Sequence, residues 1–300
     1  MINRIIYVAL LTVLSISSCG GKAASSSGTA NSVVLTSATF LADITRNIAG
    51  ERLHVESLLP VGADPHSYQP TPRDVTKIVQ SKLLIINGAE YEHFLESLLE
   101  NADGEREVIE ASAGLSPRIE AQNEHGVDPH FWLDPNNVIT YVENIREALT
   151  HFDPDGAALY KSNADAYVAQ LKELDGWIKE QVSQIAPENR LLVTNHEALG
   201  YFADRYGFTL IGAILPGVSS DASASAQQIA ALIDQIKATG APALFLDEVE
   251  NPALAQQISD ETGVKVVEDL HLESLTDGPP AAAYIDMMKH NVRQIVEALK

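Results

Sequence analysis

The sequence predicts an α/β protein: two Rossmann-like (βα)4 lobes with parallel sheets, joined by one long linking helix. Three observations predict it. Short apolar runs of strand length alternate with amphipathic stretches from Val33 onward, the same alternation restarts at Leu191, and a continuous helical periodicity separates the two series. With 45% hydrophobic and only 20% charged residues among 300, the chain has the composition of a globular protein with a sizeable core.

The N-terminus reads as an export signal. Arg4 precedes an apolar run from Ile5 to Leu14, and small residues lead through Ser18 to Cys19. The run is too short to span a bilayer as a mature helix. Ile16-Ser17-Ser18-Cys19 resembles a bacterial lipobox. The resemblance implies a signal peptide over 1–18, cleavage before Cys19 and lipid on its sulfur. The protein is then exported and lipid-anchored at the outer face of the cytoplasmic membrane or in the periplasm, with ordinary secretion and a leftover thiol as the plainer alternative. Residues 19–32, rich in Gly, Ser and Ala, form a flexible leash. Cys19 is the single cysteine, so no intrachain disulfide forms and a metal would have to be held by His and carboxylates.

The N-terminal lobe is expected over 33–152. Its strands are Val33 to Thr36, Leu53 to Leu59, Leu83 to Ile86 and Glu107 to Ile109. Among its helices, Ala38 to Ala49 ends at Gly50, and another opens at Thr71-Pro72 with Asp74 in its first turn. The linking helix is expected over 153–186. Asp153 can cap it, Pro154 suits its first position, and Tyr160, Ala164, Tyr167, Leu171, Leu174, Ile178, Val182 and Ile185 recur every three or four residues. Gly176 inside it costs roughly 1 kcal/mol against Ala. The C-terminal lobe, 187–300, carries strands Leu191 to Thr194, Thr209 to Ile214, Ala243 to Leu246 and Lys265 to Val267, with helices such as Ala226 to Ala238 and Pro252 to Thr262.

Charge limits the partners. The formal charge of −21 disfavours nucleic acid. Loss of residues 1–18 would remove only Arg4 and take it to −22. The acidity serves solubility and does not identify a site. No H-E-x-x-H, phosphate loop, G-x-S-x-G elbow or post-strand G-x-G-x-x-G is present.

Asp-Pro-His occurs twice, as Asp64-Pro65-His66 and Asp128-Pro129-His130, each time followed within two residues by an aromatic. Proline fixes its own φ and keeps the preceding residue extended, so each imidazole is presented from a stiffened loop. His66 follows the second predicted strand, His130 the fourth, and His196 the first strand of the second series. Ligands of open α/β sheets bind outside such carboxyl ends. The three histidines are therefore expected to meet in a cleft between the lobes. The loop after Lys265 to Val267 offers Glu268, Asp269, His271, Glu273 and Asp277 as a fourth ligand. Three imidazoles and one carboxylate suit Zn²⁺, while a bidentate carboxylate admits Mn²⁺. His54 and His290 read as surface positions and His93 and His151 as helix-face or helix-end residues, while the sequence leaves His125, five residues before His130, open between a plain loop position and metal capture at the cleft mouth.

Gly62-Ala63-Asp64-Pro65-His66-Ser67-Tyr68-Gln69-Pro70, Asp128-Pro129-His130-Phe131-Trp132-Leu133-Asp134-Pro135 and His196-Glu197-Ala198-Leu199-Gly200-Tyr201-Phe202 resemble, in order and spacing, the metal-binding solute receptors of zinc and manganese ABC importers. The likeness runs from Val33 to the C-terminus. It implies two (βα)4 lobes joined by a rigid helix, and a metal held by His66, His130 and His196. Members carry a final Asp about a dozen residues before the Tyr matched by Tyr284. Glu273 takes that place if one residue is missing from the following loop, with Asp277 or a water as alternatives. Members described as zinc receptors have a long His-rich loop, of which Glu120 to His125 remains here, and manganese-selective members often place Glu where this chain has His196.

The expected function is thus an extracytoplasmic metal receptor, a monomer, that binds Zn²⁺ or alternatively Mn²⁺ and delivers it to an ABC permease with its ATPase subunit. Catalytic residues are not expected. Neutral imidazoles are needed for binding, so affinity should fall below about pH 6.5. Asp64 and Asp128 are candidates for orienting the histidine rings. A rigid linking helix predicts small tilts on loading. The rival functions are a surface adhesin or structural metal lipoprotein, and a zinc hydrolase with Glu197 as base.

Overall fold

The structure, a computed structural model, describes residues 33–118, 127–220, 223–247 and 252–300. The export signal, Cys19, the leash and His125 lie outside those residues.

The first half runs β1 (Val33–Thr36), α1 (Thr39–Ala49), β2 (His54–Ser57), α2 (Pro72–Gln80), β3 (Ser81–Ile86), α3 (Leu95–Asn101) and β4 (Glu107–Glu110). These strands form a parallel sheet in the order β2-β1-β3-β4. Then come α4 (Pro135–Phe152) and α5 (Ala157–Val182). The second half runs β5 (Leu191–Thr194), α6 (Gly200–Tyr206), β6 (Thr209–Ala213), α7 (Ala226–Thr239), β7 (Ala243–Asp247), α8 (Ala253–Thr262), β8 (Lys265–Leu270) and α9 (Tyr284–Leu299). Its parallel sheet has the corresponding order β6-β5-β7-β8.

Strand composition explains the layering. Successive strand residues face opposite sides of a sheet, and a parallel sheet is covered on both. In β1, Val34 packs into the large central core and Leu35 into a smaller cluster with Leu58, Ile78 and Phe94. In β5, Leu192 joins the central core and Val193 a cluster with Ile229, Leu232 and Ile258. These inner strands are therefore short apolar runs without polar alternation, whereas the edge strands β2 and β4 carry polar residues at exposed positions. The central core is continuous between the two halves, since Phe40 and Tyr141 share it with Phe245, Tyr284 and Met287.

Local chemistry sets the helix ends. Thr71 N–H donates to Asp74 Oδ2 at 2.8 Å ahead of Pro72, and Asp134 Oδ1 accepts from Asn136 N–H at 2.9 Å ahead of Pro135. Ser225 and Gln228 form a capping box on α7. Gly50 ends α1 with φ +59°, a conformation that suits glycine.

The linking helix departs from the sequence expectation at its start. Residues Pro154–Gly156 form a 3₁₀ turn, and the α-helix covers Ala157–Val182. Asp153 caps nothing with its side chain. Its carboxylate is instead engaged by Arg52, with Nη2 at 2.8 Å, and by the Tyr160 hydroxyl. The 26-residue α5 is about 39 Å long at 1.5 Å per residue. It passes through Gly176 and packs against α1, α4 and α9 through Tyr160, Tyr167, Leu171, Leu174 and Ile178. Among the described residues no helix is long and apolar enough to cross a membrane.

Candidate metal centre

Four loops at the carboxyl ends of strands build the centre. His66 follows β2, His130 follows β4, His196 follows β5 and Glu273 follows β8. The four side chains are buried and offer ligand atoms within 4.8 Å of one another. The Nε2 atoms of His130, His196 and His66 surround Oε1 of Glu273 at 3.0, 3.4 and 3.9 Å. Ring centroids of the three imidazoles are 5.3 to 5.7 Å apart. Asp277, the other carboxylate considered from sequence, is exposed and is not part of the cluster.

The donor set fits a tetrahedral ion. Bonds of about 2.0–2.1 Å at the tetrahedral angle put ligand atoms about 3.3 Å apart, close to the separations around Oε1. His66 Nε2, His130 Nε2 and both carboxylate oxygens of Glu273 are buried without an aligned hydrogen bond. Buried polar atoms are normally satisfied, and a cation shared among the clustered ligand atoms would satisfy these.

Charge is balanced within the cluster. Burial pushes the Glu273 carboxyl up, but the charge and hydrogen-bonding nitrogens of the histidines, His130 foremost, hold it well below the usual carboxylate range. Burial pushes His130 down, but Glu273 and Asp128 outweigh it and raise its pKa. Both directions favour an anionic Glu273 paired with a protonated His130.

The two Asp-Pro-His aspartates take different roles. Asp128 Oδ1 accepts from His130 N–H at 3.0 Å and lies 2.9 Å from His130 Nδ1, which fixes the ring and leaves Nε2 toward the cluster. Asp64 Oδ1 accepts from His66 N–H at 3.0 Å, while its Oδ2 accepts from Ser67 Oγ at 2.9 Å and Ser220 Oγ at 2.6 Å. It shapes the loop and bridges to the second half without touching the imidazole.

Several supporting residues escape sequence reasoning. Asp247, at the end of β7, accepts from the N–H groups of Leu272 and Glu273, the latter at 3.0 Å, and so fixes the segment that carries the carboxylate. An acidic residue ending a fully buried strand is its only sequence signal. Ser274 Oγ accepts from Gly62 N–H at 2.9 Å, tying the same segment to the His66 loop. Tyr201 Oη donates to Asp128 O at 2.8 Å. Tyr91 lies edge-on to His66 with centroids 6.0 Å apart; burial, then the Glu273 charge, keeps its phenol protonated. Glu92 is a structural clip: it accepts from Ser37 Oγ at 2.7 Å, Asn87 N–H at 2.6 Å and Gly88 N–H at 3.1 Å, and burial pushes it up to about 7. The other histidines mostly behave as their sequence context suggests. His54 and His151 are exposed beside Glu56 and Glu107, and His93 is exposed. His290 is the exception, with only 14% of its side chain accessible.

Two parallel-sheet halves around one continuous core, with a buried His₃-carboxylate cluster at strand ends, define a two-lobed receptor of the metal-binding class. The family model described as zinc-uptake complex component A, periplasmic (ZnuA), matches residues 34–298, and the chain belongs to that family. It is 35% identical over 298 residues to the manganese-binding lipoprotein MntA of Halalkalibacterium halodurans, covering 98% of this chain and 97% of that protein. It is 34% identical over 267 residues to the iron-binding protein YfeA of Yersinia pestis, covering 88% and 85%. The Mn-bound periplasmic metal binding protein from Candidatus Liberibacter asiaticus superposes with a TM-score of 0.81 at 30% identity, covering 90% of this chain and all of that one. The protein is thus a substrate-binding receptor of metal ABC transporters and not an enzyme. Relatives that are lipoproteins of such importers imply an extracytoplasmic location. The hydrolase and adhesin readings are not favoured.

Proposed function

We propose that the chain captures Zn²⁺ with His66, His130, His196 and Glu273 and releases it to an ABC permease with its ATPase subunit. The observation that carries this is the set of three imidazole nitrogens around one buried carboxylate oxygen at 3.0 to 3.9 Å. A four-coordinate set dominated by imidazole suits Zn²⁺, which also stands above Mn²⁺ and Fe²⁺ in general affinity order. Mn²⁺ is the second reading. It is favoured by the relatives named for manganese and by the two oxygens of the buried Glu273 carboxylate, which allow bidentate coordination.

In this reading residues 1–18 are removed, lipid on Cys19 anchors a monomer, and residues 19–32 serve as the leash. The lobes, 33–152 and 187–300, stay nearly fixed about the linker 153–186, because α5 and the continuous core tie them together. Loading then moves loops more than lobes.

Metal analysis of protein equilibrated with equimolar Zn²⁺, Mn²⁺ and Fe²⁺ tests the proposal. One equivalent of zinc is expected, with Glu273→Ala binding at least about tenfold more weakly. Predominant retention of manganese would replace the metal assignment. A Glu273→Ala variant that bound as the parent does would remove the fourth ligand.

A further inference from the structure

Beyond the buried centre, one other group of metal-ligating side chains converges among the described residues: Asp269, His271 and His290. Asp269 and His271 are two residues apart at the end of β8, and His290 faces them from α9. His271 Nε2 lies 3.7 Å from Asp269 Oδ1, His290 Nε2 lies 3.3 Å from Asp269 Oδ2, and the two imidazole centroids are 5.2 Å apart.

The backbone beneath this group is fixed. Asn291 accepts from His271 N–H at 2.8 Å and donates to His271 O at 2.7 Å, so a single amide clamps His271 to the helix that carries His290. One turn further along α9, Gln294 donates to Asp269 Oδ2 at 3.0 Å and orients the carboxylate. Burial is graded: the His271 side chain is 2% accessible, that of His290 14% and that of Asp269 60%. An ion would therefore arrive from solvent on the carboxylate side, with the imidazoles behind it.

We propose that Asp269, His271 and His290 form a second binding site for a borderline divalent cation such as Zn²⁺, Ni²⁺ or Cu²⁺, completed by water. Two imidazoles and one carboxylate, open on one side, are a donor set for such ions, whereas oxygen-rich sets suit Mg²⁺ or Ca²⁺. The site is weaker than the buried one. It has one fewer protein ligand, and an ion must replace the contact between His290 Nε2 and Asp269 O at 2.7 Å. None of its residues belongs to the His₃-carboxylate cluster, so the proposal stands independently of the primary function.

Titration of the mature chain with Zn²⁺ by calorimetry, repeated with Cu²⁺ and electron paramagnetic resonance, tests it. Two classes of site are expected, the second at least about tenfold weaker and with two-nitrogen hyperfine structure on copper. Asp269→Asn and His290→Ala should each abolish the weak class and keep the tight one; His66→Ala should weaken the tight class and keep the weak one. Asp269 is exposed, so its variant remains informative if loss of His290 disturbs the fold. A single equivalent bound up to millimolar Zn²⁺, or a weak class unchanged in Asp269→Asn, would show that the three side chains only fasten β8 to α9.

Discussion

Trp132 Nε1 donates to the carbonyl oxygen of Leu272 at 2.8 Å, across 140 positions of sequence. The bond links the residue two beyond His130 to the residue before Glu273, so the loops bearing two members of the centre are held by one buried indole. Tyr284 Oη donates to Trp132 O at 2.6 Å and adds the C-terminal helix to the same junction. Trp132→Phe keeps most of the ring but leaves a buried carbonyl unpaired. A stability loss of about 1–3 kcal/mol is expected by urea denaturation, together with weaker metal binding by titration.

The two Asp-Pro-His motifs should respond differently to the same change. Asp128 contacts the His130 ring, so Asp128→Asn is expected to lower metal affinity by about 10–100-fold. Asp64 contacts backbone and hydroxyls instead, so Asp64→Asn should cost affinity several-fold less. Competitive titration against a chelator compares the two directly.

Gly200 is close to Asp128. A Cβ placed there would overlap Arg118 Nη1 and lie 2.6 Å from Asp128 Oδ2, so Gly200→Ala should push aside both the guanidinium and the carboxylate, loosen His130 and destabilise by about 1–3 kcal/mol. Gly176 has the opposite setting, in the middle of α5, where a Cβ would meet nothing within 4 Å. Gly176→Ala should stabilise by about 0.5–1 kcal/mol. Thermal melts of both variants check the contrast.

Acid should weaken the junction before α5. The hydrogen bond from Arg52 holds the Asp153 carboxyl below its ordinary value, against burial and with help from Tyr160. A carboxyl whose folded pKa is depressed contributes stability above its unfolded value, near about 3.9, and loses it as pH falls through the folded one. The parent should therefore be more stable than Asp153→Asn at neutral pH, and the difference should shrink below about pH 4. Denaturation at several pH values measures it.

Much of this arrangement was legible because it is local. Two stiff Asp-Pro-His loops announced two imidazoles, strand-length apolar runs placed β1 and β5 to the residue, and Thr71-Pro72 with Asp74 announced α2. What stayed hidden depends on partners far away in sequence. Asp153 reads as a cap until Arg52 and Tyr160 are brought to it. His290 reads as a surface residue until α9 lays it against His271. The role of Trp132 arises only once the two halves meet, that of Asp247 only once β7 lies beside the loop after β8, and no spacing along the chain encodes either. Strand-end positions predict the three-histidine convergence, whereas spacing alone does not separate Glu273 from Asp277 and only the family likeness, with one residue missing from the following loop, favours Glu273.

The most direct test is an anomalous-diffraction map of crystals grown with one equivalent of Zn²⁺. The account predicts a single peak, with Nε2 of His66, His130 and His196 and a Glu273 oxygen each about 2.0–2.2 Å from it. No peak among the three histidines, or one bound by them with Glu273 outside the coordination sphere, would contradict it.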